Sequence, residues 1–151
     1  MADISFYRER DHDGYMSNFY PAPIFLDGKD YPTTEHYFQA MKFADSEALV
    51  EKIRKQPSPG QAARLGRSRS LPLRGDWESV KDNVMRKALF AKFTQHPRLK
   101  TMLMKTHPRR LVEHTKNDAY WGDGGDGSGK NMLGFLLMEL REALSERTTT
   151  L

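Results

Sequence analysis

The chain contains no cysteine, which excludes disulfides, thiolate nucleophiles, cysteine zinc sites and iron–sulfur clusters and fits a reducing compartment. It has no apolar run approaching the roughly 20 residues needed to span a bilayer. Its start, Met1-Ala2-Asp3-Ile4-Ser5, does not lead from a basic segment into an apolar one. The expectation is a cytoplasmic protein with no membrane association. His36, His96, His107 and His114 do not fall at zinc-ligand spacings, so no metal is expected. A dense basic stripe is also missing. The formal charge is +4 and the pI about 9.3, with Arg64, Arg67, Arg69 and Arg74 clustered ahead of Lys81, Arg86, Lys87 and Lys92. That mild bias favours an anionic partner. The aromatics do not interleave with the basic residues as a nucleic-acid stacking platform requires, so a phosphorylated small molecule fits at least as well.

At 151 residues the chain suits one domain, residues 1–151, with a proper core. The stretch from Pro32 to Phe43 carries the most information. Pro32 discourages helix extension backwards, and Thr33 or Thr34 can cap a helix that begins there. Glu35, Gln39 and Lys42 fall at i, i+4 and i+7 and share one face. Most other positions, Tyr37, Phe38, Ala40, Met41 and Phe43, are apolar or aromatic. Such a helix is normally buried, and its polar stripe should face a cleft. Two readings fit Glu35: a first-turn carboxylate favoured by the helix dipole, or a buried carboxylate in a functional pocket.

Ile4–Tyr7 reads as a strand, and Pro23-Ile24-Phe25-Leu26 running into Asp27-Gly28 reads as a hairpin. Between them Ser17-Asn18-Phe19-Tyr20-Pro21 reads as an extended aromatic segment or a packed loop. Helices are expected from Glu47, over Gly60–Gly66, from Trp77 behind Asp76, from Pro97 to His107, and from Met132 to about Ser145. The longest carries an apolar ridge of Val80, Val84, Ala88 and Leu89, with Lys81, Arg86, Lys87 and Lys92 largely off it. A weak strand covers Arg110–Thr115. The sum is an α+β fold, mostly helical, a single domain with a small N-terminal antiparallel sheet or hairpin.

Arg67 and Arg69, interleaved with serines, could hold a phosphate through forked bonds or simply be solvated. Trp77 beside them could wall a base or sugar ring, or sit in the core. The glycine-rich run from Gly122 to Gly129 feeds the last helix and could offer backbone N–H groups to an anion. Its formal matches to nucleotide motifs fail in context. No βαβ unit follows the dinucleotide-like Gly122-x-Gly124-x-x-Gly127, and Asn131 stands where a P-loop needs Ser or Thr. Asp118, Asp123 and Asp126 lack EF-hand spacing.

Several blocks together resemble the NADAR family. They are Ser17-Asn18-Phe19, Thr34-Glu35-His36-Tyr37-Phe38-Gln39-Ala40-x-Lys42-Phe43, Trp77-x-x-x-Lys81 through Lys92-Phe93, Leu111-Val112-Glu113-x-Thr115, and Asp118-x-x-Trp121-Gly122-x-Gly124 through Asn131-x-Leu133-Gly134. The match runs in order over nearly the whole chain. It implies a metal-independent hydrolase without a cofactor that cleaves the N-glycosidic bond between a base and a phosphorylated ribose. One branch acts on phosphoribosylamino-uracil intermediates of riboflavin synthesis. The other removes ADP-ribose from guanine, with ADP-ribosylated DNA among its carriers.

By that resemblance Glu35, Asp118 and Lys42 are the catalytic candidates. Glu35 would stabilise the sugar cation or activate water, by analogy with paired carboxylates in glycoside hydrolysis, and Asp118 would partner it. Lys42, about 10 Å along the helix axis at ~1.5 Å per residue, would bind a ribose hydroxyl or phosphate, or attack an opened C1′ aldehyde. Trp77 and Trp121 would stack on the base or shield it. Arg67, Arg69, Gly122 and Gly124 would hold phosphate, and Asn18 and Phe19 complete the substrate-binding set. A non-catalytic ADP-ribose- or NAD-binding module is the alternative.

Overall fold

The computed structural model describes residues 1–149, with side chains described over 1–146. In chain order the elements are β1 (Ile4–Phe6), a 3-10 turn (Gly14–Met16), β2 (Ile24–Leu26), β3 (Lys29–Tyr31), α1 (Thr34–Met41), α2 (Glu47–Arg54), α3 (Pro59–Gly66), α4 (Trp77–Gln95), α5 (Pro97–Met104), β4 (Leu111–Glu113) and α6 (Met132–Thr149). This is the expected helix-rich α+β class. The chain forms two compact units: Pro21–Gln95, and residues 1–20 together with those from His96 onward.

In the Pro21–Gln95 unit, β2 and β3 pair antiparallel, with Phe25 opposite Asp30. Asp27 and Gly28 both take positive φ, 53° and 79°, the turn geometry whose twist matches the flanking strands. A side chain closes the free edge of β2: Phe25 N–H donates to Gln95 Oε1 at 2.8 Å, and Gln95 Nε2 donates back to the Phe25 carbonyl at 2.7 Å. The hairpin and α4 are thereby joined by an amide acting as a third strand.

α1 packs against α2, α3 and α4, and Thr34 through Ala40 are all buried. Tyr37, Ala40 and Phe43 join Ile24, Tyr31, Ile53, Ala62 and Ala88 in one apolar cluster. Thr33 caps α1 by accepting from His36 N–H at 3.1 Å. The buried His36 ring is held at both ends, Nδ1 to the Thr33 hydroxyl at 2.8 Å and Nε2 donating to the Gln56 carbonyl at 3.0 Å. One correction concerns α4. Lys92, expected off the apolar ridge, is completely buried, and burial pushes its ammonium from 10.5 down to about 7. The helix turns Met85, Ala88, Leu89, Ala91, Lys92 and Phe93 inward together, a wider buried face than an i, i+4 ridge.

In the other unit β1 and β4 pair in parallel, Ile4 opposite Leu111 and Phe6 opposite Glu113. The ladder extends through Ile4 N–H to the Arg110 carbonyl at 2.8 Å and His114 N–H to the Phe6 carbonyl at 2.9 Å. On the other edge of β4 an amide again stands in for a strand. Asn131 Oδ1 accepts from Glu113 N–H and Asn131 Nδ2 donates to the Leu111 carbonyl, both at 2.9 Å. Asn131 has φ 50°, a left-handed conformation that Asn tolerates better than most residues. α6 buries Leu133, Leu136, Leu137, Leu140 and Leu144. Arg141, also buried, donates to Thr106 Oγ1 at 2.9 Å and the Arg109 carbonyl at 2.8 Å. The Ser17–Tyr20 segment is a turn, not an extended run, with Tyr20 N–H bonded to the Ser17 carbonyl at 3.2 Å.

Replacing Asn131 by Ala leaves one donor and one acceptor of β4 unpaired and keeps a strained φ. The expected loss is about 3 kcal/mol of unfolding free energy, read by urea denaturation; a loss below about 0.5 kcal/mol would contradict the strand-mimic role. For His36, burial lowers the folded-state affinity for a proton below the ordinary 6.5, so the unfolded chain binds the proton first. Stability from this group is complete above pH about 6.5 and declines as pH falls towards the folded-state value. The decline should be shallower in His36→Gln, measured as unfolding free energy at pH 7.5 and 5.5.

Candidate functional site

The polar stripe of α1 is where the Pro21–Gln95 unit concentrates its chemistry. Glu35 is 7% exposed, and Gln39 Nε2 donates to its Oε2 at 2.6 Å. Lys42, the C-cap of α1, is half-buried and lies within 3.4 Å of the Gly66 carbonyl at the end of α3. Its Nζ sits 5.9 Å from the ring centroids of both Phe38 and Trp77. Those two rings meet edge-on at 5.0 Å. Trp77 is therefore a mostly buried ring that also helps wall the Lys42 amine.

The electrostatics tie five charged groups together. Burial is the main force pushing the Lys42 ammonium below 10.5; Glu35 opposes it, Arg67 adds to it, Glu78 opposes and Lys81 adds. Lys81 is itself largely covered, its side chain 15% exposed, and bonds Glu78 at 2.8 Å. Three cations and two carboxylates thus line one region formed by α1, the end of α3 and the start of α4. Such a region can accept an anion and stabilise a developing positive charge beside it.

Arg67 and Arg69 are both exposed, Arg67 at the C-cap of α3 and Arg69 in the following turn, where the Ser68 and Ser70 hydroxyls share a hydrogen bond at 2.8 Å. Arg74 is committed elsewhere, forked onto Asp76 at 2.6 and 3.0 Å. A cavity of about 360 Å³ on this unit is lined by Asp27, Lys29, Tyr31, Met41, Ala44, Glu47 and Val50. None of the stripe residues lines it, so this cavity and the chemistry at Glu35 are separate features.

The remaining expected residues belong to the other unit. Asp118 Oδ1 accepts from the N–H groups of Tyr120 and Trp121 at 2.9 and 2.8 Å, which ties the turn of the loop. Trp121 lies edge-on to Tyr120 at 5.0 Å. Asn18 and Phe19 are half-buried in the turn whose Ser17 hydroxyl accepts from Phe19 N–H at 3.1 Å.

The glycine loop corrects an expectation. The N–H groups of Lys130, Asn131, Met132 and Leu133 bond to the carbonyls of Ala119, Gly122, Tyr120 and Trp121 at 2.8–3.0 Å. Gly124 and Gly129 N–H bond to Asp118 and Asp123 carbonyls, and Gly125 N–H to Asp123 Oδ1. These donors are turned into the loop and not towards an anion. Gly122 and Gly124 are explained by space and conformation: a Cβ on Gly122 would fall 2.8 Å from the Asp118 carbonyl, and Gly124 has φ 74°. Asp123 organises this knot. Burial would raise its carboxyl, but His114 at 2.8 Å and the amides of Gly125 and Thr115 hold it below the ordinary carboxylate range.

Two residues of the stripe region escaped the sequence-based site. Gln39 was visible as a residue one turn from Glu35, and Lys81 as one turn from Trp77; nothing in composition set them apart from an ordinary amide and a helical surface lysine.

A family model described as NADAR domain matches residues 5–145. The chain is 62% identical over 142 residues to the N-glycosidase YbiA of Escherichia coli strain K12, covering 94% of this chain and 88% of that protein. It is 43% identical over 143 residues to a riboflavin biosynthesis protein of Vibrio vulnificus, covering 95% of this chain but 39% of that protein. The NMR structure of E. coli YbiA superposes with a TM-score of 0.90 at 59% identity, covering 99% of this chain and 89% of that one.

Because Glu35 opposes the effect of burial on Lys42, removing its charge should lower the Lys42 titration midpoint further. Isotope-labelled dimethyl-lysine NMR of wild type and Glu35→Gln reads this directly. An unchanged or raised midpoint in the variant would mean the two groups are not coupled.

Proposed function

The chain belongs to the NADAR family, and on that premise we propose that it is an N-glycosidase that releases a base from a phosphorylated ribose, with Glu35 at the reacting carbon. The supporting observation is the buried Glu35 carboxylate beside a half-buried Lys42, with Arg67 and Lys81 close enough to act on that amine. The E. coli relative is named an N-glycosidase and the V. vulnificus relative a riboflavin biosynthesis protein, and both names support this reading.

Cleavage of C1′–N sends the bonding pair to the base and builds positive charge on the sugar. A carboxylate in a water-poor site stabilises that charge, or takes a proton from the water whose oxygen becomes the new C1′ hydroxyl. That proton passes on to the departing base. Lys42, with its ammonium weakened by burial, donates to a ribose hydroxyl or to the phosphate; its unprotonated fraction is the form able to add to an opened C1′ aldehyde. Arg67, Arg69 and Lys81 supply the phosphate contacts, a role for which Arg forks are well shaped. Trp77 keeps water from the sugar face near Lys42.

The test is to incubate the protein with a phosphoribosylamino-uracil and with ADP-ribosylated guanosine and to follow released base by chromatography. Turnover of the first, faster than the second, is the expected result. Glu35→Gln should lower it by at least about 10³-fold, with a melting temperature within a few degrees of wild type. Binding of ADP-ribose without turnover of either substrate would replace the enzyme by a non-catalytic ADP-ribose-binding module.

A further inference from the structure

Gln39 is 2% exposed, and its two polar atoms have opposite fortunes. Nε2 donates to Glu35 Oε2 at 2.6 Å, while Oε1 is buried without a hydrogen-bond partner among the described residues. Rotating the amide would set Oε1 against Glu35 Oε2 in place of the donor, so the bond to Glu35 fixes the amide's orientation and the unpaired oxygen goes with it. Buried amides with an orphaned oxygen are rare and cost stability. The neighbouring helix is shaped to keep this one: a Cβ on Gly66 would collide with Gln39 Oε1 and come within 2.8 Å of Gln39 Cβ. α3 approaches α1 at the one residue that leaves the amide room.

We propose that Gln39 is the positioning residue of Glu35, its amide fixing the carboxylate's direction towards the substrate's C1′ and Gly66 holding the amide in place. This assignment rests on the N-glycosidase reading for its catalytic consequence, but the Gln39–Glu35 bond can be measured without any substrate.

Gln39→Met preserves length and removes the donor. Lys42 on α1, Arg67 at the end of α3, and Glu78 and Lys81 on α4 are the charged groups around the stripe, and all remain in the variant. The titration midpoint of the Glu35 side-chain carboxyl, read by carbon-13 NMR, should rise by about one pH unit or more when its donor is lost. Turnover of the phosphoribosylamino-uracil should fall at least 10-fold in kcat with KM changed less than threefold, and the acidic limb of the kcat/KM profile should move up with the midpoint. If wild type turns over neither substrate, the enzyme reading fails while the Glu35 midpoint still decides the positioning claim. An unmoved midpoint overturns that claim.

Should Gln39→Met not fold, Gln39→Glu answers in its place. The introduced carboxyl can donate to Glu35 only when protonated, so its activity optimum should move to lower pH than wild type. An optimum unchanged in that variant overturns the assignment.

Discussion

Burying the polar stripe of α1 is the constraint that the Pro21–Gln95 unit is built around. An ionised carboxylate taken out of water costs several kcal/mol unless hydrogen bonds and opposite charge replace its hydration, by the general argument for buried charges. Part of that replacement comes from the helix itself. Gln39 one turn on supplies the donor, and Lys42 two turns on supplies the opposite charge. The apolar faces of α1 then have to be covered by three other helices, and α2, α3 and α4 do so. Gly66 on α3 and Trp77 on α4 are the closest expressions of that packing, one leaving space and the other filling it.

The same geometry suits the proposed chemistry. A stripe that is nearly dry strengthens every electrostatic interaction in it, which is useful only where a reaction develops charge. The tension within the stripe shows on Lys42, where burial and two cations weaken the ammonium while Glu35 and Glu78 support it. A positively biased wall next to a buried carboxylate suits a substrate that brings a phosphate and generates a sugar cation. In the other unit the loop from Asp118 to Asn131 bonds most of its amides internally, around Asp118 and Asp123.

Both strand pairs use the same device. Two-stranded ribbons are marginal alone, and each gains a third partner from an amide side chain, Gln95 for β2 and Asn131 for β4. The amide offers a donor and an acceptor spaced like a peptide group, so it closes an edge without adding a strand.

Local rules decided much of this from the residues alone. The cap at Thr33, the turn at Asp27-Gly28, the proline-started helices at Pro59 and Pro97 and the shared face of Glu35, Gln39 and Lys42 all depend on a few neighbouring residues, and each is legible in the sequence. What depends on distant residues was not. The parallel partnership of residues 4–6 with 111–113 spans a separation that no periodicity reports, and the burial of Lys92 follows from how wide a face α4 must turn inward. The inward donors of the glycine loop reflect where its carbonyls meet the start of α6. The fate of Glu35 is the clearest case. Its position in a first helical turn allowed a simple cap, and only the approach of α3 and α4 to α1 made it a buried carboxylate bonded to the Gln39 amide, because burial is a property of the packed neighbours and not of the helix that carries it.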